Sequence, residues 1–395
     1  MSNGKSAVKM NNTNALTKFQ VLLMAIAAGA SVANIYYNQP ILKDISSTFD
    51  VTESKAGTIS MLSQIGYGLG LFFIIPLGDK INKKNLILTL LSLLIVTLIL
   101  MTVASTIQQV WILSILIGLF SVSVQVILPM AASLNPASRG KTVGVIFTGI
   151  LIGILAARVF SGFIAEWLNW RYVYGFSAVL ISVITLMLKT SLPSVRNEFK
   201  GHYFQLLQSV LYQIKRFSLL RDASLIGGLL FGVFCSFWTV LTFHLSGSPF
   251  FYHSDTIGLF GLVAIAGALM APYIGKLADK GNSNRSLLFA VGMIIFSLLL
   301  MKLFPDSAML LIIAVIILDI GIQGMQITNV AMIYSLDQTA HSRINTIYMT
   351  SYFIGGALGT FFGLQCWKYG GWGLVVWQMI LWSLIALGII FKRKK

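Results

Sequence analysis

The chain has 395 residues, 56% of them hydrophobic and 10% charged, with a formal net charge of +16. A soluble globular chain carries about 25% charged residues, so this composition excludes an ordinary soluble fold, and the apolar surplus must face lipid. The positive charge lies in short loops between apolar runs; with no soluble basic domain to carry it, it points to membrane topology and away from nucleic acid.

The first 18 residues are polar and include Lys5, Lys9 and Lys18. The apolar run at 19–39 is longer than the about 7–15 residues of a secretory signal core, so an uncleaved anchor that becomes the first span is expected. Since a bilayer core needs about 20 apolar residues per helix, eleven further spans are predicted at 56–78, 85–105, 108–132, 142–165, 171–190, 223–246, 256–276, 286–304, 308–334, 344–366 and 372–391. The runs are too long and continuous for the alternation of a barrel. The expected fold is therefore an all-α membrane protein. A cytoplasmic tail (1–18) leads into an N-terminal six-helix bundle (19–190). A cytoplasmic linker (191–222), a C-terminal six-helix bundle (223–391) and a basic tail (392–395) follow.

Orientation follows from lysine and arginine. With the N-terminus inside, 22 of the 28 lie on the inner side and five (Lys43, Lys55, Arg171, Lys302 and Lys368) on the outer. The bias predicts a multi-pass protein of the inner (cell) membrane with both termini in the cytoplasm. Residues 202–217 of the linker place apolar and basic side chains at helical spacing. They fit a helix lying on the inner membrane surface and equally a plain connecting helix. Cys235 and Cys366 both fall inside apolar runs, and no disulfide is expected.

The two halves repeat. PLGDKINKK closes the second span and IGKLADKGN the eighth, with Asp79 and Asp279 each followed by lysine (Lys80, Lys280). SLNPASRGK before the fifth span matches SLDQTAHSR before the eleventh, aligning Lys141 with Arg343, Gly153 with Gly355 and Trp170 with Trp372 at one offset of 202. Duplication of this kind marks secondary transporters, whose substrate site lies near the bilayer midplane between the repeats.

Asp79-Lys80, followed by Lys83 and Lys84, resembles motif A of the major facilitator superfamily, and IGKLADKGN resembles its weaker second copy. NIYYNQP, SRINTIYMTSYFIGGALG and IGLFGLV are similar to segments of bacterial exporters of the drug:proton antiporter type. The resemblance covers essentially the whole chain and implies two six-helix bundles rocking about a central site lined by spans one, four, seven and ten. Ile75 stands where motif A usually opens with glycine, although Gly275 retains it in the second copy; Ser114 stands where the family's span-four motif has arginine, and Ala157-Arg158 and Ser161-Gly162 where span five usually ends in Gly-Pro.

Candidate residues follow. Asp79, at the inner end of span two, is placed to meet the N-terminus of span eleven, where the helix dipole favours an anion. With Lys80, Lys83, Lys84, Asp279, Lys280 and Arg343 it forms a candidate gating motif locking the outward-open state; a plain topology-setting charge is the other reading. Arg158 is the one basic residue deep in a span, a placement that costs about 2.5–3.5 kcal/mol on insertion scales and demands a partner. Asp319 in span ten lies at matching depth, so a pair across the halves is one expectation and separate local partners the other. If protons drive transport, Asp319 is the first candidate to carry one, with exposure and the nearness of Arg158 setting its protonation state.

Asp319, Gln323 and Gln326 share one helical face, and such a stripe normally faces a cavity. Asn34, Tyr37 and Asn38 in span one and Gln64 and Tyr67 in span two are further cavity candidates. Gln125, Trp238 and His244 join them from the family's cavity-lining spans, with helix–helix packing open for each. Gly355, Gly359 and Gly363, and Gly66 and Gly70, recur every four residues. They fit close sliding of span eleven on span two, or packing within one half.

No Walker loop, HExxH, CxxC pair or GxSxG appears, and His202, His244, His253 and His341 are dispersed, so no enzyme, cofactor or metal site is expected. The reading is a monomeric secondary transporter that exports a small molecule against protons by alternating access. A uniporter or importer of the same fold remains open, as does, further off, a lipid scramblase or membrane-embedded enzyme. The amide- and tyrosine-rich stripes with one ion pair suit a neutral or amphipathic solute.

Overall fold

The computed structural model describes residues 16–135, 138–194, 202–263, 283–337 and 340–393. Among these residues ten helices are long and apolar enough to cross a membrane. Spans one to six are α1 (Lys18–Tyr36), α3 (Glu53–Phe73), α4 (Lys83–Thr102), α5 with α6 (Ile107–Phe120, Val124–Leu134), α7 (Arg139–Trp167) and α8 (Trp170–Ser191), with a short α2 (Leu42–Thr48) between the first two. The linker helix α9 (Tyr203–Arg216) leads to α10 (Ser218–Ser246), α11 (Ser254–Val263, the start of span eight), α12 (Ser283–Leu303), α13 (Ala308–Tyr334) and α14 (His341–Arg393). The last holds two limbs, broken where Gly371 adopts φ 58° after a non-helical Gly370, a backbone region that favours glycine. It therefore supplies spans eleven and twelve, predicted at 344–366 and 372–391. Asp279, Lys280 and Gly275 lie outside the described residues.

Helix starts are set by polar caps. Thr17 and Thr106 form capping boxes with Gln20 and Gln109, and Thr52, Asn82, Asn169 and Ser307 cap further helices through their side chains. These bonds satisfy amide groups that a helix end leaves unpaired. Span four departs from the single helix predicted at 108–132. A 3-10 turn at Ser121–Ser123 divides it, and Pro129 stands inside its second part. Proline lacks the N–H that would bond the carbonyl four residues back, here that of Gln125.

The duplication is visible in packing. A Cβ on Gly153 would meet the carbonyl of Gly29 where spans five and one cross, and a Cβ on Gly355 would meet that of Gly228 where eleven crosses seven. Gly359 meets Gly232 in the same way, Gly363 meets Ser236, and Gly66 and Gly70 lie against Ile115 and Leu119 of span four. The glycine rows therefore pack spans within each half. Of the two readings of these rows, this favours packing within one half over a sliding contact between spans two and eleven, which meet instead through side chains: Tyr67 against Phe353, and Thr360 Oγ1 donating to Gln64 at 3.0 Å. Backbone approaches between the halves occur where α7 meets α11, with Gly162 against Ser254 and Gly258 against the carbonyl of Arg158.

Candidate functional site

A cavity of about 240 Å³ lies between the halves. Tyr36, Tyr67, Gln125 and Arg158 line it from the N-terminal half, and Asp319, Gln323, Gln326 and Tyr352 from the C-terminal half. It extends to Tyr334, the last residue of α13, and Asn345, in the first turns of α14. These sit at the end of the molecule that carries Lys80, Lys83, Lys84 and Arg343, here called the basic end.

The opposite end is joined across the halves. Thr242 Oγ1 donates to the Gln39 carbonyl at 2.6 Å, Ser254 Oγ to Asp44 Oδ2 at 2.5 Å, and Trp367 Nε1 to Glu53 Oε2 at 2.8 Å. His253 Nδ1 lies 3.4 Å from Glu166 Oε1. Glu53 also receives Lys43 Nζ at 2.8 Å.

Arg158 and Asp319 are 2% and 4% exposed. Both line the cavity, and each feels the other's charge. They do not pair directly in this conformation, since none of the ion pairs within 4.0 Å among the described residues joins them. Arg158 Nε instead donates to Gln39 Oε1 at 2.8 Å, and the guanidinium lies 3.9 Å from the ring centre of Trp238, with Tyr36 at 5.2 Å and Phe234 at 5.9 Å. Aromatic faces attract a cation at such distances. Arg158 Nη2 and Asp319 Oδ2 remain buried without hydrogen-bond partners.

The amide and aromatic candidates divide. Gln125 Nε2 donates to Tyr67 Oη at 3.2 Å, and Tyr352 Oη donates to Gln326 Oε1 at 3.1 Å, all four lining the cavity beside Gln323. Trp238 sits behind Arg158 and Gln64 bridges the halves, so both act next to the cavity and not on its wall. Asn34, Tyr37, Asn38 and His244 are not among the lining residues. Asn34 accepts from Ser177 at 2.8 Å, Asn38 from Ser60, and His244 stacks on Trp372 with ring centres 4.1 Å apart. Tyr37 borders an outer groove between spans one and five. Their polar atoms serve contacts inside one half, the packing alternative to a substrate role.

Asp79 is half-buried at the end of the 3-10 turn Ile75–Asp79, within electrostatic range of Lys83 and Arg343. Lys84 Nζ donates to the Leu192 carbonyl at 2.7 Å, while Lys80 is exposed. The Asp79–Arg343 proximity thus coexists with a cavity that reaches the basic end. Sequence reasoning missed Gln39, Tyr36 and Phe231. Gln39 follows the first span in the turn Asn38-Gln39-Pro40, where a polar residue carries no signal of its own.

The fold and this cavity define a membrane transporter. Residues 24–364 match the family model of the Major Facilitator Superfamily, and the chain belongs to that family. It is 41% identical over 354 residues to the "Uncharacterized transporter YgaY" of Escherichia coli O157:H7, covering 89% of this chain and 90% of the relative. It is 27% identical over 353 residues to the "Probable transporter SCO4007" of Streptomyces coelicolor, covering 89% and 82%. The crystal structure of "the POT family transporter PepTSo" superposes with a TM-score of 0.71 at 14% identity, covering 94% of this chain and 96% of that one; this likeness concerns the fold. Family membership makes the chain a multi-pass membrane transporter and not an enzyme.

Proposed function

We propose that the chain exports a small molecule in exchange for protons, by alternating access, with Asp319 as proton carrier. The observation that carries this is a carboxylate and a guanidinium from opposite halves, buried at one central cavity, each with an unpartnered atom. Ionisable groups inside a membrane protein mark substrate and ion paths. A carboxylate whose neighbours change when the halves rock changes its affinity for a proton.

The basic end faces the cytoplasm in this reading, supported by the 22-to-5 lysine and arginine bias. Both termini are then cytoplasmic, the membrane is the inner (cell) membrane, and the conformation is inward-facing. Residues 19–190 and 223–391 are the moving bodies, with 191–222 tethering them. The working unit in this reading is a monomer. The similarity of NIYYNQP and SRINTIYMTSYFIGGALG to segments of drug:proton antiporters supports export over import.

The test is purified protein in liposomes with an imposed proton gradient and a panel of solutes. Gradient-accelerated flux is expected for the wild type. Asp319→Asn should lose that acceleration while keeping solute–solute exchange. Flux that ignores the gradient would identify a uniporter, and flux that follows protons inward an importer.

A further inference from the structure

We infer that the transported solute is a small zwitterion, with a carboxylate for Arg158 and an ammonium for Asp319 on a compact frame with an apolar or aromatic side chain. The inference rests on the proton-exchange reading and names the substrate class of that same cavity.

Arg158 Nη2 is a buried donor without an acceptor, and Asp319 Oδ2 a buried acceptor without a donor. Leaving such atoms unpaired is costly, and a solute offering one group to each removes both costs. The two charges cancel, so the cavity is neutral when Asp319 is ionised. A solute with only a cation would sit beside Arg158 uncompensated. A solute with only an anion would sit beside Asp319 in the same way, and would bind best when Asp319 holds a proton.

Linkage then separates the classes. An anion and a proton favour each other's binding, which couples their movement in one direction. An ammonium competes with the proton for the Asp319 carboxylate, which is the requirement for exchange. A zwitterion meets that requirement and also satisfies Arg158. The other ionisable groups about the pair are Tyr36 of span one, Tyr67 of span two, Cys235 of span seven and Tyr352 of span eleven. None of these is a cation, so Arg158 is the one positive charge facing Asp319 among the described residues.

Size and walls narrow the solute. A cavity of about 240 Å³ is below the about 300–1,000 Å³ of sites for drug-sized ligands. Phe231 stacks on Tyr352 with ring centres 3.9 Å apart, and Tyr67 lies 4.3 Å from Phe353. These rings give an aromatic or aliphatic side chain an apolar bed.

The experiment measures binding to the full chain in detergent at neutral pH. It uses three probes on one ring: L-phenylalanine (zwitterion), 2-phenylethylamine (cation) and 3-phenylpropanoate (anion). Phenylalanine should bind at least about tenfold more tightly than either, the scale of one charge-assisted hydrogen bond, and should release protons in weak buffer. Arg158→Gln should turn the preference to phenylethylamine, and Asp319→Asn to phenylpropanoate. Equal or tighter binding of a singly charged probe to the wild type, or no binding of phenylalanine, overturns the inference without any variant. Gradient-driven flux of other solutes would then leave proton exchange standing. The binding pattern with gradient-blind flux would do the reverse.

Discussion

Arg158 is held by contacts from both halves of the molecule. Gln39 and Tyr36 reach it from span one and the turn after it, while Trp238 and Phe234 cover it from span seven, and Gly258 and Gly261 of α11 press on its backbone and stem. Gln39 is also bound through its carbonyl by Thr242 across the halves. The side chain that positions Arg158 therefore belongs to a turn whose backbone closes the far end. Gln39→Leu removes the acceptor of a buried charge-assisted bond, a loss of about 1–3 kcal/mol. Gradient-driven flux in liposomes should fall about tenfold or more, with the melting temperature of the purified protein lowered by a few degrees. Unchanged flux would show that Arg158 finds its place without Gln39. Arg158 and Asp319 were legible in the sequence because a charge inside an apolar run has few innocent explanations. Gln39 was not, because polar residues are ordinary where a span ends. Asn34 and Asn38 were cavity candidates on a shared helical face, but a helical face records only direction, and theirs points into neighbouring helices of the same half.

At the scale of elements, two kinds of helix crossing share one sequence signal. Spans seven and eleven approach through Gly228 with Gly355 and Gly232 with Gly359, inside the C-terminal half. Spans five and eight approach through Gly162, Gly258 and Gly261, between the halves. Adding a methyl group at either crossing forces backbones apart, at about 1–3 kcal/mol for overpacking, but the consequences differ. Gly355→Ala strains a crossing inside one half, which stays packed if the halves move as bodies, so the melting temperature should drop. Gly258→Ala strains a crossing that parts when the far end opens in the proposed cycle. Its melting temperature should change less, while a thiol reagent added from the far side should label a cysteine introduced at Ser254 faster. Equal effects of the two variants would mean that the halves do not separate along α7 and α11. Spans and the repeat were readable because apolar length and a constant offset survive in the linear sequence. The partner of each glycine row was not, since four-residue spacing specifies a smooth helix face and leaves open which neighbour fills it. The break in span four had its signals in Ser121, Ser123 and Pro129, yet a continuous apolar run outweighed them.

For the whole molecule, the far-end closure contains a proton-sensitive contact of its own. Asp44, on the short helix α2 outside the spans, accepts from Ser254 of the other half. Burial raises its carboxyl above the usual range, chiefly by desolvation; the Ser254 bond opposes the shift, nearby Glu166 adds to it and His253 opposes it. A group with a raised pKa in the closed form binds protons more tightly there than when opening returns it to water. By linkage, acid stabilises the closed far end, and this stabilisation is lost as pH rises through the raised value. In the exchange cycle proposed above, protons arriving from outside would thus favour return to the inward-facing form after solute leaves. Nitroxide labels at Asp50→Cys and Lys368→Cys, both exposed on opposite halves at the far end, report this equilibrium once Cys235 and Cys366 are replaced. Double electron–electron resonance should show the short-distance population growing as pH falls. Asp44→Asn, a permanent stand-in for the protonated acid, should hold that population high and flatten most of its pH dependence. A distance distribution that shifts with pH as strongly in Asp44→Asn as in the parent would place the sensitivity outside Asp44.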